Sequence, residues 1–183
     1  MTKVKALEIL KKYTTKQNLI KHAIAVAATM KHFAKIENED ESFWEVVGML
    51  HDIDYELYPD QHCSKCVEML KQEGLCDNTI HAIQSHGFEL CCDVEPNTYL
   101  EYVLGIIDQL TGFIIACALI RPEKQIKAVE LSSMKKRWGN ASFAAGTNRG
   151  RIEKWCQKIN KPLDYMLEQT HLALLSVADE LGL

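Results

Sequence analysis

An adjacent histidine and aspartate, His51-Asp52, close an apolar run that spans residues 46–50. Two ionisable side chains at the end of a buried segment cost free energy unless something pairs with them. A divalent metal ion is a natural partner, because imidazole nitrogen and carboxylate oxygen are both good ligands for zinc, manganese and iron. The pair is therefore the first candidate for a metal centre.

Further residues of ligand type lie elsewhere in the chain. Asp108 is the only charged residue between Glu101 and Arg121, and a glycine one turn away on each side leaves space beside it. A core aspartate that caps a helix or pairs with an arginine would also explain it, but the presence of His51-Asp52 favours a ligand role. The histidines of ligand type are His22, which a structural role would also explain, His62 and His86.

The order of one His, then His-Asp, then further His and a distant Asp resembles the HD-domain metal-dependent phosphohydrolases. The match covers about residues 18–120, and residues 132–136 and 143–149 resemble the C-terminal part of uncharacterised bacterial members. The resemblance implies that His51 and Asp52 are catalytic. It also implies that the metal ligands are His22, His51, Asp52 and Asp108.

His62 and His86 are candidates for a second metal site, with Asp52 as a bridge between the two ions. Substrate contacts or hydrogen bonds to ligands are the alternative roles for these two histidines. His81 lies five residues before His86, and this spacing places the two on different faces of a helix. Asp54 and Glu56 are expected to orient ligands, whereas His32 is expected to be exposed and His171 structural.

The resemblance implies hydrolysis of a small phosphorylated metabolite or nucleotide through a metal-bound hydroxide. The implied cofactor is a divalent transition metal, Zn, Fe or Mn, with one or two ions. Cationic side chains would offset the phosphate charge. We expect substrate contacts from Lys135, Lys136 and Arg149, with Arg137 and Arg151 as further candidates. Two alternatives stay open: a metal- or nucleotide-binding regulatory module without turnover, and a helical interaction domain with structural histidines.

The net charge of −4 gives no reason to expect a nucleic-acid polymer or an anionic membrane as partner. The first residues lead into an amphipathic segment without an apolar signal core, so a cytoplasmic location and reduced thiols are expected. Cys63-x-x-Cys66 followed by Cys91-Cys92 could suggest a zinc knot, but the second pair lacks the usual two-residue gap. We therefore predict no structural zinc there and place Cys63 and Cys66 in a helix.

Helical periodicity dominates and predicts an all-α, compact single-domain bundle over residues 1–183, with a core at about 18–120 and a helical extension at about 121–183. The apolar segment 102–120 is close to the length of about 20 residues that a membrane span needs. Asp108 and Gln109 in its middle favour a buried central helix. The predicted helices cover 4–13, 17–35, 42–51, 60–71, 79–86, 97–120, 148–159 and 162–181.

Overall fold

The computed structural model describes residues 1–183 and confirms the all-α prediction, with ten α-helices, two 3-10 turns and no strand. The 3-10 turns are Pro59–Gln61 and Ile126–Ala128. The helices are α1 Lys3–Tyr13, α2 Gln17–Glu37, α3 Glu41–Leu50, α4 Cys66–Gln72, α5 Asp77–Ser85, α6 Tyr99–Leu119, α7 Leu131–Trp138, α8 Arg149–Lys158, α9 Leu163–Leu175 and α10 Ala178–Leu181.

Helices α2 and α3 are held unusually close at Gly48. A Cβ atom at this position would lie 2.9 Å from the Cα of Ala27 and 3.0 Å from the carbonyl oxygen of Val26. Only glycine allows that approach without a shift of the α2 backbone. The contact lies one turn before His51, so it fixes the end of α3 against α2.

Helix α6 is the central helix of the fold and contacts α2, α5, α8 and α9. Thr98 caps its first turn, and the Glu101 carboxylate accepts hydrogen bonds from the backbone N–H groups of residues 97 and 98. By length and composition α6 could cross a membrane, but 61% of its most apolar window is buried inside the protein. The other helices cover its apolar side chains, as expected for a core helix.

Two predicted helices are interrupted. The segment 60–71 is a 3-10 turn followed by further turns, and α4 begins only at Cys66. Cys63 therefore lies outside a helix, with a φ of 61°. The predicted helix 162–181 divides into α9 and α10 around the turn at residues 176–177. In both cases the apolar spacing continues through the turn, so periodicity alone could not locate the break.

Helix starts also differ from the predictions by a few residues. Helix α5 begins at Asp77 after the N-cap Cys76, two residues before the predicted start at residue 79. Helix α6 begins at Tyr99 because Thr98 supplies the capping oxygen. A short additional helix, α7, lies within the C-terminal extension.

Candidate metal centre

The structure brings all six predicted ligand residues together, although they come from five separate elements. His22 lies on α2 and Asp108 near the middle of α6, while His51 and Asp52 follow directly on α3. We call the residues His22, His51, Asp52 and Asp108 the primary set. We call His62, in the turn before α4, and His86, at the C-cap of α5, the accessory set.

The nitrogen and oxygen atoms of the primary set lie at distances that suit a shared cation. His22 Nε2 is 3.2 Å from His51 Nε2 and 2.9 Å from Asp108 Oδ1. His51 Nε2 is 3.4 Å from the same Asp108 oxygen. Three ligand atoms from three helices therefore surround one point.

Asp52 connects the two sets, because each of its carboxylate oxygens faces a different one. Oδ2 lies 3.4 Å from His51 Nε2 and 3.7 Å from His22 Nε2. Oδ1 lies 3.4 Å from His62 Nε2 and 3.5 Å from His86 Nε2. This arrangement is the one that a carboxylate bridging two ions would require.

Hydrogen bonds at Nδ1 leave Nε2 of three histidines free to face the centre. His51 Nδ1 donates to the carbonyl of Gly48 at 2.8 Å, and His62 Nδ1 donates to Asp54 Oδ1 at 2.8 Å. His86 Nδ1 donates to a carbonyl in the last turn of α5. Such partners fix the tautomer and the ring orientation of histidine ligands in metal sites.

The electrostatics of the metal-free centre are those of tightly coupled opposite charges. Burial lowers the pKa of His51, but the charges of Asp52 and Asp108 outweigh it and raise that pKa well above the ordinary value. Burial raises the pKa of Asp52 and Asp108, yet the charges and hydrogen bonds of the neighbouring histidines hold both values below the ordinary range. Both aspartates are therefore carboxylates, as metal ligands must be.

The donor set fits a divalent transition metal. Three groups of side chains place their ligand atoms close enough to hold one: His22, His51 and Asp108; His51, Asp52 and His86; and His62, Cys63 and His86. Several imidazoles with two carboxylates suit zinc, iron or manganese better than magnesium, which prefers oxygen ligands.

Asp54 and Glu56 differ in their relation to the centre. Asp54 is buried; one oxygen accepts from His62 and the other accepts from the Cys66 backbone N–H at 2.7 Å. It therefore fixes the ring of His62, a predicted ligand, as expected. Glu56 instead accepts hydrogen bonds from Thr15 and from the Lys16 backbone before α2, so its expected role beside the ligands is wrong.

The three remaining histidines lie outside the centre. His81 bonds to Glu101 at 3.1 Å, in agreement with its exclusion in favour of His86. His171 bonds to a backbone carbonyl of the second 3-10 turn, a structural role. His32 is partly buried and bonds to Gln169 at 2.9 Å, so it is less exposed than expected.

The cations expected to contact substrate have partners within the C-terminal region. Lys135 pairs with Asp164 at 2.5 Å, with both side chains about half exposed, and Lys136 is exposed. Arg149 donates to backbone carbonyls of Trp138 at 2.8 Å and Phe143 at 2.6 Å. These contacts hold the segment together, and a substrate role for the three residues stays a prediction.

Arg151 is buried and positions the turn after His86. Its guanidinium donates to the backbone carbonyls of His86, Phe88 and Gly105. It also stacks on Trp155, with its Cζ 3.6 Å from the ring centroid. Burial lowers the pKa of Arg151 to about 10, against the raising effect of the Asp108 charge. All the contacts of this cation are thus internal.

An open groove of about 270 Å³ lies beside Asp108. One wall is the exposed side of α6 at Gln109 and Gly112, and the other is the segment 144–147. The Gln109 side chain accepts a hydrogen bond from the Asn148 backbone at 2.7 Å, which holds the two walls together. Asp108 is the residue of the primary set that lines this groove.

The structure groups three cysteines beside the accessory set, which their spacing in the sequence did not predict. The buried Cys63 thiol interacts with the thiols of Cys91 and Cys92, and its sulfur lies 3.7 Å from His86 Nε2. A hydrogen bond from Cys63 lowers the pKa of Cys92 to about 6, although burial opposes this shift. The repeated Cys positions near His62 and His86 were the only signal in the sequence.

Comparisons with known proteins give one result on the family and none on structure. No solved structure matches the chain. The family model described as HD domain matches residues 19–113, which is more than half of the chain. The matched span includes every residue of the primary and accessory sets. The chain therefore belongs to the HD-domain family, a superfamily of metal-dependent hydrolases.

Proposed function

We propose that the protein is a cytoplasmic, metal-dependent phosphohydrolase that acts on a small phosphorylated metabolite or nucleotide. The observation that carries this proposal is the geometry of Asp52, whose two oxygens face two separate sets of ligand atoms. The two sets together would hold one or two divalent ions, the cofactor that this hydrolysis would use.

The roles of the residues follow from their contacts. The primary set would hold one ion, and His62 and His86 would hold a second, with Asp52 available to both. Asp54 fixes the ring of His62 through its hydrogen bond at 2.8 Å. When bound, the divalent metal supplies an acidified water and polarises a phosphoryl oxygen. The groove beside Asp108 admits the phosphate ester.

A metal- or nucleotide-binding regulatory module on the same fold is the second candidate. It is favoured by the contacts of the expected phosphate-binding cations. Arg149 and Arg151 donate to backbone carbonyls, and Lys135 pairs with Asp164. Hydrolysis of a phosphate ester normally needs cationic or metal stabilisation of its charge, so in this protein the metal ions would have to supply most of it.

The two candidates are separated by a single comparison. Purified protein is analysed for metal content, then loaded with zinc, manganese or iron and tested on a broad panel of phosphomonoesters and nucleotides, with and without chelator. We expect near one or two metals per chain and hydrolysis that the chelator abolishes. Stoichiometric metal without turnover on the whole panel would favour the regulatory module, and absence of metal would contradict the hydrolase and the metal-binding form of the module.

A further inference from the structure

The thiols of Cys63, Cys91 and Cys92, here called the thiol cluster, form a second group of reactive side chains. Cys63 is fully buried, whereas Cys91 is exposed and Cys92 partly buried. They come from two loops, because Cys63 follows His62 and the other two follow His86. None of them is required by the proposed function.

Gly87 shows how closely two of these sulfur atoms approach. A Cβ atom on this residue would lie 2.4 Å from the Sγ of Cys63 and 2.6 Å from the Sγ of Cys91. The two sulfurs therefore lie side by side over the glycine, in the space that any other side chain would occupy. The Cys91 and Cys92 backbone N–H groups both donate to the Gly87 carbonyl, which fixes the loop in this position.

We propose that Cys63 and Cys91 are a site of reversible oxidation that forms a disulfide between the two loops. Cys91 is the partner because its sulfur shares the surface of Gly87 with Cys63 and because it is the most exposed of the three. The Cys92 thiol donates to the carbonyl of Gln84 at 3.2 Å, a shorter contact than the one at 3.7 Å from the Cys91 thiol to the Gly87 carbonyl. The disulfide tethers the segments that carry His62 and His86.

The oxidant is a small peroxide, and the reaction balances with it alone. The Cys91 sulfur attacks one oxygen of hydrogen peroxide, the O–O bond breaks, and a sulfenic acid and one water form. The Cys63 sulfur then attacks the Cys91 sulfur, the S–O bond breaks, and a second water leaves as the S–S bond forms. A dithiol reductant reverses the reaction by thiol–disulfide exchange.

The test treats the full-length protein with a small excess of hydrogen peroxide, alkylates the remaining thiols and maps disulfides by mass spectrometry of unreduced peptides. We expect loss of two of the seven thiols, one peptide pair joining positions 63 and 91, and full recovery with dithiothreitol. Because position 91 is exposed, Cys91→Ser should fold normally and lose the crosslink. Cys92→Ser and the exposed control Cys76→Ser should keep it.

Three outcomes would overturn the proposal. The first is a crosslink that persists in Cys91→Ser through Cys92. The second is direct conversion of Cys91 to sulfinic acid with no crosslink at any peroxide concentration. The third is protection of all three thiols by added zinc in a protein that peroxide does not crosslink, which would make the thiol cluster a metal site. None of these readouts depends on hydrolase activity.

Discussion

The primary and accessory sets differ in how the fold holds them. His22 and Asp108 lie inside two 21-residue helices, α2 and α6, and His51 follows the apolar helix α3. His62 and His86 lie instead in a turn and at a helix end, and their rings are held by hydrogen bonds. The first arrangement depends on packing of the core, and the second depends on polar contacts of single side chains.

This difference predicts an order of binding. Helix packing fixes the primary set before any ion arrives, so little conformational freedom is lost on binding. The accessory set relies on Asp54 at His62 and on Arg151 at the backbone after His86. We therefore expect the primary site to bind its ion more tightly, and the accessory site to respond to changes in the side chains around it.

The largest effect is expected from Asp52→Asn, because Asp52 is shared by both sets. An amide binds metal less strongly than a carboxylate, so most of the metal and the hydrolytic activity should be lost. We expect a fall in affinity of more than about 100-fold, beyond the 10–100-fold typical of residues that only support a ligand. Elemental analysis measures the loss of bound metal, and the exposed Asp60→Asn is the control. Full metal retention in Asp52→Asn would show that the centre is not a metal site.

His86→Ala separates the two sets. It should lower occupancy of the accessory site and leave the first metal in place, whereas His22→Ala should reduce the primary site. Metal titration followed by calorimetry gives the two stoichiometries, and His81→Ala on the same helix serves as control, since His81 contacts Glu101 instead. Loss of all metal in His86→Ala would mean that the division into two sites is wrong.

Asp54→Asn tests the supporting hydrogen bond. Only one oxygen would remain to serve both His62 and the Cys66 backbone, so the His62 ring should lose its fixed tautomer. Affinity for the second ion should fall by about 10–100-fold, with the first ion unaffected. Glu56→Gln is the matched control, because Glu56 contacts the segment before α2. Equal affinities in the two variants would argue against an orienting role.

The metal-free protein should lose stability as the pH rises. Although burial lowers the pKa of His51, the Asp52 and Asp108 charges raise it well above 6.5 in the folded state. The stabilisation is therefore complete below the unfolded pKa and is lost as the pH rises through the folded value. Each unit of elevation corresponds to about 1.4 kcal/mol.

Urea unfolding in chelator between about pH 6 and about pH 9 measures this dependence. Asp108→Asn removes one of the charges that raise the pKa of His51, so its free energy of unfolding should change less with pH. Metal affinity should increase over the same range, because an ion must displace the proton of His51. A metal-free protein whose stability rises through this range would contradict the assignment of charge.

The smallest effect is expected from the double variant Lys135→Ala and Lys136→Ala. Exposed cations contribute about 0.2–1 kcal/mol each to a contact, so the double change should raise KM by no more than about 30-fold while metal content stays constant. The exposed Lys158→Ala is the control. Unchanged KM and kcat at low salt, where screening is weakest, would show that Lys136 only faces water and that Lys135 only pairs with Asp164.

Most of the helices could be predicted because their signals are local. Apolar spacing located α1, α2, α3 and α8 to within a few residues. The breaks at residues 62–65 and 176–177 were missed, because the turns keep apolar residues in step with the helices beside them. The start of α6 was placed two residues early at Asn97, since the capping oxygen of Thr98 sets the true start.

The residue types of His51, Asp52 and Asp108 are visible in the sequence, and they limit which ions such a centre could bind. Which side chains meet depends on the packing of helices that are distant along the chain. Close packing at Gly48 and the course of α6 bring residues together that lie up to 86 positions apart, as His22 and Asp108 do. The same long-range packing turned Arg151 inward to backbone carbonyls and placed the sulfur atoms of Cys63 and Cys91 together over Gly87, and such contacts have no local signature in the sequence.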